Sequence, residues 1–120
     1  MSASTLGTGR WTRVCAVERI VPDTGVTALI GGIQVAVFRL SDGRVFAIGN
    51  HDPCTTVNVL SRGIVGDLEG RPFVASPIHK QRFDLATGRC LDRDDLEAGS
   101  FTVRVVDGVV EVAVSSAGAG

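Results

Sequence analysis

The stretch FTVRVVDGVVEVAV, residues 101–114, decides the fold of this chain. Apolar and polar residues alternate on both sides of Asp107-Gly108, which is the pattern of half-buried strands. An Asp-Gly pair accepts the positive φ angles that a two-residue hairpin turn requires. We therefore predict two antiparallel strands, Phe101–Val106 and Val109–Val114.

The same pattern continues upstream. Gly31-Gly32 separates the apolar runs Thr27–Ile30 and Ile33–Leu40, and a turn at Ser41–Gly43 leads into Arg44–Ile48. Two adjacent glycines favour a second tight hairpin, so this region is predicted to be a three-stranded meander. Further strands are predicted at Trp11–Ala16, Gly63–Gly66 and Pro72–Ser76, and on both sides of Thr87-Gly88 within Phe83–Cys90. Turns are predicted at Val21–Gly25 and Asp67–Arg71. Residues Leu91–Gly99 are predicted to form an irregular loop or a single helical turn.

These strands and turns predict an all-β domain, an antiparallel β-sandwich or small barrel. A chain of 120 residues has room for one domain. We place that domain at residues 10–114, between flexible segments at 1–9 and 115–120. We expect Trp11 and the five phenylalanines to lie in its core, and the alternative for any one of them is an exposed docking patch.

Composition excludes several classes of protein. A net charge of -1 gives no basic excess, so no nucleic-acid partner is expected. No apolar run approaches the roughly 18 residues of a membrane-spanning helix. Residues 1–9 lack the features of a signal peptide, and the three cysteines form no disulfide framework. We therefore expect a cytoplasmic protein with reduced thiols and no membrane partner.

Two longer loops, residues 50–61 and 76–82, interrupt the strand pattern. Loops on a rigid β scaffold commonly carry function. Neither these loops nor the rest of the chain contains a nucleophile elbow or a glycine-rich phosphate loop. We therefore predict no catalytic and no cofactor-binding residue in this chain.

The loops do contain side chains that metals bind. His51, Cys54 and His79, together with Asp52, are candidate ligands for one zinc or iron ion. The simpler interpretation is that they are ordinary loop residues, with Cys54 as a small buried hydrophobe. We predict no metal site and keep the single ion as the alternative.

Nearly the whole chain, residues 11–114, resembles a Rieske domain. In that family a Cys-Pro-His segment and a Cys-Pro-x-His segment hold a two-iron, two-sulfur cluster through two thiolates and two imidazoles. The corresponding segments here are Asp52-Pro53-Cys54 and Ser76-Pro77-Ile78-His79. The second is followed by Phe83-Asp84-Leu85-Ala86-Thr87-Gly88, which is typical of the family.

The cluster ligands are mostly replaced. Asp52 and Ser76 stand at the two cysteine positions, Cys54 stands at the first histidine, and only His79 matches. A serine hydroxyl is a poor iron ligand, and one carboxylate does not replace two thiolates. The resemblance therefore implies a Rieske-like fold with two long loops in place of the cluster-binding loops.

A narrower family has this degenerate pattern. Residues 50–53 (Asn-His-Asp-Pro), 59–63 (Val-Leu-Ser-Arg-Gly) and 75–81 (Ala-Ser-Pro-Ile-His-Lys-Gln) resemble, in order, segments of the small subunit of assimilatory NAD(P)H-dependent nitrite reductase. The resemblance implies a non-catalytic subunit that supports a large subunit reducing nitrite to ammonium. That partner is expected to carry siroheme, an iron–sulfur cluster and FAD, with no cofactor in this chain.

The resemblance also directs attention to individual loop residues. Lys80 is the only lysine, and with Gln81 and Arg82 it forms a candidate docking segment for acidic residues of the large subunit. Asp52 and Ser76 are expected to order their loops through backbone hydrogen bonds in place of a metal.

Two other functions remain open from the sequence. One is a Rieske-type ferredoxin that carries electrons, which would need bound iron and sulfide. The other is a mononuclear metal-binding domain built on the same loop residues.

Overall fold

A computed structural model describes residues 10–114. The two segments predicted to be flexible, residues 1–9 and 115–120, lie outside the described residues. Short strands and two single-turn 3-10 helices make up the regular structure. The strands are β1 (Arg10–Ala16), β2 (Thr24–Ile30), β3 (Ile33–Arg39), β4 (Val45–Gly49), β5 (His51–Asp52), β6 (Val57–Asn58), β7 (Ile64–Leu68), β8 (Arg71–Ala75), β9 (Arg82–Asp84), β10 (Ser100–Val106) and β11 (Val109–Val114).

The prediction of an antiparallel all-β fold is confirmed. Six strands form one sheet in the order β1-β11-β10-β4-β3-β2. β7, β8 and β9 form a separate three-stranded sheet, and β5 and β6 form a two-residue pair. Both tight hairpins lie where the turn chemistry predicts them, because Gly31, Gly32, Asp107 and Gly108 all have positive φ.

The six-stranded sheet has a core on each of its faces. Val35 and Val37 of β3 point to one side, where they pack with Ile20, Val110 and other apolar residues. Alternate residues Ala36 and Phe38 point to the other side. β3 is therefore covered on both faces, which explains its nearly continuous apolar sequence.

The second core joins the two sheets. Phe38 and Ile48 come from the six-stranded sheet, and Val74 and Phe83 come from the three-stranded sheet. All four side chains are fully buried. This packing fixes the three-stranded sheet, and the loop that connects its last two strands, against the end of β4.

Several sequence predictions are wrong in detail. β2 begins at Thr24, inside the segment predicted as a turn, because Thr24 and Gly25 pair with the end of β3. Only the first of the two strands predicted within Phe83–Cys90 forms. The second is reduced to two isolated bridges, Cys90 with Phe83 and Arg89 with Glu97, and the Cys90 amide donates to the Leu96 carbonyl.

Two further predictions need correction. Trp11 is not a core residue: 38% of it is exposed, and the Arg104 guanidinium lies 4.0 Å above its ring. Both side chains lie on the outward face of the β1/β11/β10 sheet, which explains the exposure. The loop at Asn50–Ser61 contains its own small hairpin, β5 and β6, and a 3-10 turn at Leu60–Arg62. No helix within residues 10–114 has the length and apolarity needed to cross a membrane.

Candidate functional site

The first loop begins where β4 runs against another segment of the chain. Gly49 is the last residue of β4, and a Cβ there would lie 2.3 Å from the Ala98 carbonyl oxygen. Only glycine fits this close approach. The loop that follows is thereby held against the body of the domain from its first residue.

Asn50 connects the start of the first loop to its end through hydrogen bonds. Its side chain is buried; Nδ2 donates to Gln34 Oε1 over 3.0 Å, and Oδ1 accepts the Ser61 amide over 2.7 Å. Its carbonyl accepts the Leu60 amide. One buried asparagine therefore ties the start of the loop to its end and to β3. Nothing in the sequence indicated this role.

The first loop turns around Asp52. Its Oδ1 accepts the backbone amide of Cys54, two residues on, over 2.9 Å. Its carbonyl accepts the amide of Thr56, four residues on, over 2.7 Å. An aspartate side chain that binds the amide two residues ahead is a recurrent way to start a turn, and Pro53 fixes φ within it. Asp52 also pairs with Val57, which closes the turn.

The second loop repeats this pattern around Ser76. Its Oγ accepts the amide of Ile78, two residues on, over 3.3 Å, and its carbonyl accepts the amide of Lys80, four residues on, over 2.9 Å. Its own amide donates to the Gln81 carbonyl over 2.8 Å. A proline, Pro77, again follows the first residue. Residues 52–57 and 76–81 therefore form the same turn.

The two turns meet through their first residues. Ser76 Oγ donates to Asp52 Oδ2 over 2.5 Å, and the two residues are 1% and 0% exposed. Both carboxylate oxygens therefore have a donor, as a buried carboxylate requires. A short hydroxyl-to-carboxylate bond is stronger than one between neutral groups. None of the salt bridges within residues 10–114 involves Asp52.

Each loop contains a non-glycine residue with positive φ and a buried polar atom without a hydrogen-bond partner. Thr56 and Lys80 occupy matching positions, and each has a φ of 62°. That region is costly for residues other than glycine, above all for a β-branched threonine. Within the described residues, the buried side-chain atoms without a hydrogen-bond partner are Thr55 Oγ1 and Gln81 Oε1, one in each loop. The surrounding contacts therefore impose the shape of the loops.

The candidate metal ligands are not gathered into one site. His51 is exposed and its Nδ1 lies 3.0 Å from Asn58 Oδ1, while His79 is exposed and Cys54 is half-buried. Across residues 10–114, no three histidine, cysteine, aspartate or glutamate side chains form a group that could hold a metal ion. The geometry therefore gives the single-ion alternative no support.

The residues at the cluster positions also do not fit a two-iron, two-sulfur cluster. The two thiolate positions hold a carboxylate and a hydroxyl, which are hydrogen-bonded to each other. Such a cluster needs cysteine thiolates on at least one of its irons. We therefore derive no electron-transfer step through a cluster in this chain.

The candidate docking segment has one free charge. Lys80 is exposed, and Gln81 is half-buried. Arg82 Nη2 lies 2.7 Å from Asp92 Oδ1, and the Arg82 amide donates to Asp92 Oδ2 over 2.8 Å. Hydrogen bonds from Arg82 lower the pKa of the Asp92 carboxyl, so this pair is charged and internally compensated. Lys80 is thus the cation that the segment presents.

The pairing of Asp92 was not anticipated. The sequence predicted only an irregular loop or single helical turn here, at Leu91–Gly99, whereas Asp92 anchors the end of the second loop through the backbone and side chain of Arg82. Asp92 lies ten residues after Arg82, and nothing in the sequence distinguishes it from the other acidic residues nearby.

The fold and the two turns define a class of protein. Residues 10–113 match the family model of a Rieske-like [2Fe-2S] domain. The class is therefore a Rieske-like domain whose loops are joined by a hydrogen bond between Asp52 and Ser76.

Comparison with individual proteins identifies the family within that class. A nitrite reductase (NADH) small subunit from Salmonella typhimurium is 44% identical over 104 residues, which are 86% of this chain and 96% of that protein. A crystal structure from Mycobacterium tuberculosis, assigned as an NADH-dependent nitrite reductase small subunit, has a TM-score of 0.85 and 46% identity, with 88% of this chain and 96% of that chain covered. The chain belongs to the nitrite reductase small-subunit family.

A third relative has a different organisation. A nitrite reductase [NAD(P)H] large subunit from Klebsiella oxytoca is 39% identical over 102 residues. These residues are 85% of this chain but only 11% of that protein. A domain of this family is therefore part of a large-subunit polypeptide in that organism.

Proposed function

We propose that this chain is the small subunit of an NAD(P)H nitrite reductase and acts by binding the large subunit. The observation that carries the proposal is the Klebsiella large subunit, which includes a domain 39% identical to this chain. Two parts that are joined in one polypeptide in one organism commonly work as one assembly. The match to separate small subunits over 96% of their length supports the same role.

In this proposal the chain supplies no redox centre. The buried bond between Asp52 and Ser76 occupies the position at which a cluster-bearing relative needs two thiolates. Siroheme, an iron–sulfur cluster and FAD belong to the large subunit, where electrons from NAD(P)H reduce nitrite to ammonium. We place the complex in the cytoplasm, a proposal that the three free thiols support.

Reconstitution tests this function. The chain and the large subunit of the same reductase are purified separately and mixed, and NAD(P)H oxidation is followed with and without nitrite. We expect a complex on size exclusion, no oxidation by this chain alone, and three NAD(P)H oxidised per ammonium formed by the complex.

Two outcomes would contradict the proposal. One is the failure of the chain to bind the large subunit or to alter its activity or stability. The other is stoichiometric iron and acid-labile sulfide in the purified chain, which would identify a ferredoxin. Metal analysis of protein purified without chelator decides the second point.

A further inference from the structure

We propose that the large subunit binds the end of the domain that carries the two loops. This inference rests on the proposed function. The surface, here called the loop-end surface, consists of residues 29–33, 51–58 and 77–80. It contains the β2–β3 turn and the exposed parts of both loops.

The chain enters and leaves the described domain at neighbouring strands. Arg10, at the start of β1, pairs with Val114, at the end of β11. The two ends of the described chain therefore lie side by side. In the Klebsiella protein the remaining large-subunit sequence has to connect to this domain through one or both of these ends.

The register of the six-stranded sheet relates these ends to the loops. Ala113 pairs with Thr102 of β10, and the preceding residue, Phe101, pairs with Ala47 of β4. Val114 is therefore level with Ala47, three residues before the first loop begins at residue 50, a distance of about 10 Å along a strand. β11 also runs toward the loops at this point. A linker leaving either end thus starts at the end of the sheet that carries the loops, with β10 lying between β11 and β4.

The loop-end surface exposes several large apolar side chains. Leu29, Ile33, Val57 and Ile78 are exposed by 71%, 42%, 43% and 48%. Large apolar side chains that share one end of a small domain are a common feature of a protein interface. Lys80, two residues after Ile78 in the second loop, is exposed and adds a positive charge, for which acidic residues of the partner would be complementary.

The test compares charge substitutions at the two ends of the same domain. Leu29→Glu and Ile78→Glu change the loop-end surface. Val21→Glu and Val105→Glu are matched controls, because these side chains are 65% and 44% exposed but lie at the opposite end of the sheet, Val21 just before β2 and Val105 in the last part of β10. Affinity for the purified large subunit is measured by calorimetry, and a melting curve of each variant checks that the exposed substitution leaves the fold intact.

We expect each loop-end variant to raise Kd about tenfold or more, and each control to change it by less than about threefold. Unchanged affinity in both loop-end variants, or a loss of affinity only in the controls, would contradict binding at this surface. Either result would leave the proposed function standing. Absence of binding by the unsubstituted chain would overturn the proposed function itself.

A measurement without substitutions gives a second readout. Lys80 is the only lysine, so an amine-directed acetylating reagent reports on one side chain of the loop-end surface. We expect Lys80 to react in the free chain and to be protected about tenfold or more in the complex, as expected for a side chain at a water-excluding interface. Equal reactivity in both states would contradict the proposed surface.

Discussion

The two loops have the same backbone and almost no sequence in common. Residues 52–57 read Asp-Pro-Cys-Thr-Thr-Val, and residues 76–81 read Ser-Pro-Ile-His-Lys-Gln. Only the proline is shared. Yet in both loops the first residue binds the amides two and four residues ahead, and the fifth residue has a φ of 62°.

The difference between the loops lies in their first side chains. Asp52 offers two acceptors and Ser76 offers one donor, so the two side chains are complementary. Two cysteines at these positions would instead direct two thiolates at a shared iron. Complementary hydrogen-bonding groups on two buried side chains therefore join loops of this shape.

The largest expected effect is that of Asp52→Ala. The change leaves the Ser76 hydroxyl and the Cys54 amide without their buried acceptor, so we expect a loss of about 3 kcal/mol in the free energy of unfolding. Urea denaturation measures it. Asp67→Ala is the control, because Asp67 also accepts a turn amide but is exposed. Equal losses in both variants would contradict the role of burial.

Ser76→Ala should cost less, about 1–2 kcal/mol, although it removes the other side of the same bond. The Asp52 carboxylate keeps the Cys54 amide as a donor, and the bond from the Ile78 amide to Ser76 is long at 3.3 Å. Ser41→Ala, in an exposed turn, provides the baseline. A larger loss of unfolding free energy for Ser76→Ala than for Asp52→Ala would contradict the greater contribution assigned to Asp52.

Glycine at the matching fifth positions should relieve backbone strain. We expect Thr56→Gly to stabilise the domain by about 1 kcal/mol and Lys80→Gly by about half as much, because a β-branched side chain tolerates positive φ least. The greater freedom of glycine in the unfolded chain limits both gains. Unfolding experiments on the two variants test the ranking, and destabilisation by both would show that neither position is strained.

The smallest effect concerns the ion pair that follows the second loop. Arg82 lowers the pKa of Asp92, so the stabilisation from this carboxylate is present above the ordinary aspartate pKa and is lost as pH falls below about 4. Arg82→Met should therefore flatten the fall in melting temperature at acid pH, and raised salt should reduce the difference. Arg93→Met, which removes an exposed pair away from the loops, is the control. An unchanged pH profile would mean that Arg82 does not stabilise the loop.

Local sequence signals predicted much of the fold. Gly31-Gly32 and Asp107-Gly108 specify their hairpins through backbone conformation, and both turns form as predicted. The boundary of β2 was missed because Thr24 and Gly25 form strand only through pairing with β3. The composition of residues 21–25 does not indicate this pairing, because it is a contact with another strand.

The site was predictable only in part. The sequence indicated that Asp52 and Ser76 order their own loops through backbone bonds, and such bonds are present. The bond between the two side chains spans 24 residues and leaves no periodic signal. The same holds for Asn50, whose partners Gln34 and Ser61 come from different elements.

A hydrogen bond between the Ser76 and Asp52 side chains, rather than a metal, joins the two loops. A double-mutant cycle on Asp52→Ala and Ser76→Ala tests it most directly, with unfolding measured in protein purified with and without chelator. We predict a coupling energy of about 1–2 kcal/mol that the chelator does not change. Additive losses, or a native domain that loses stability when the chelator is added, would contradict the claim.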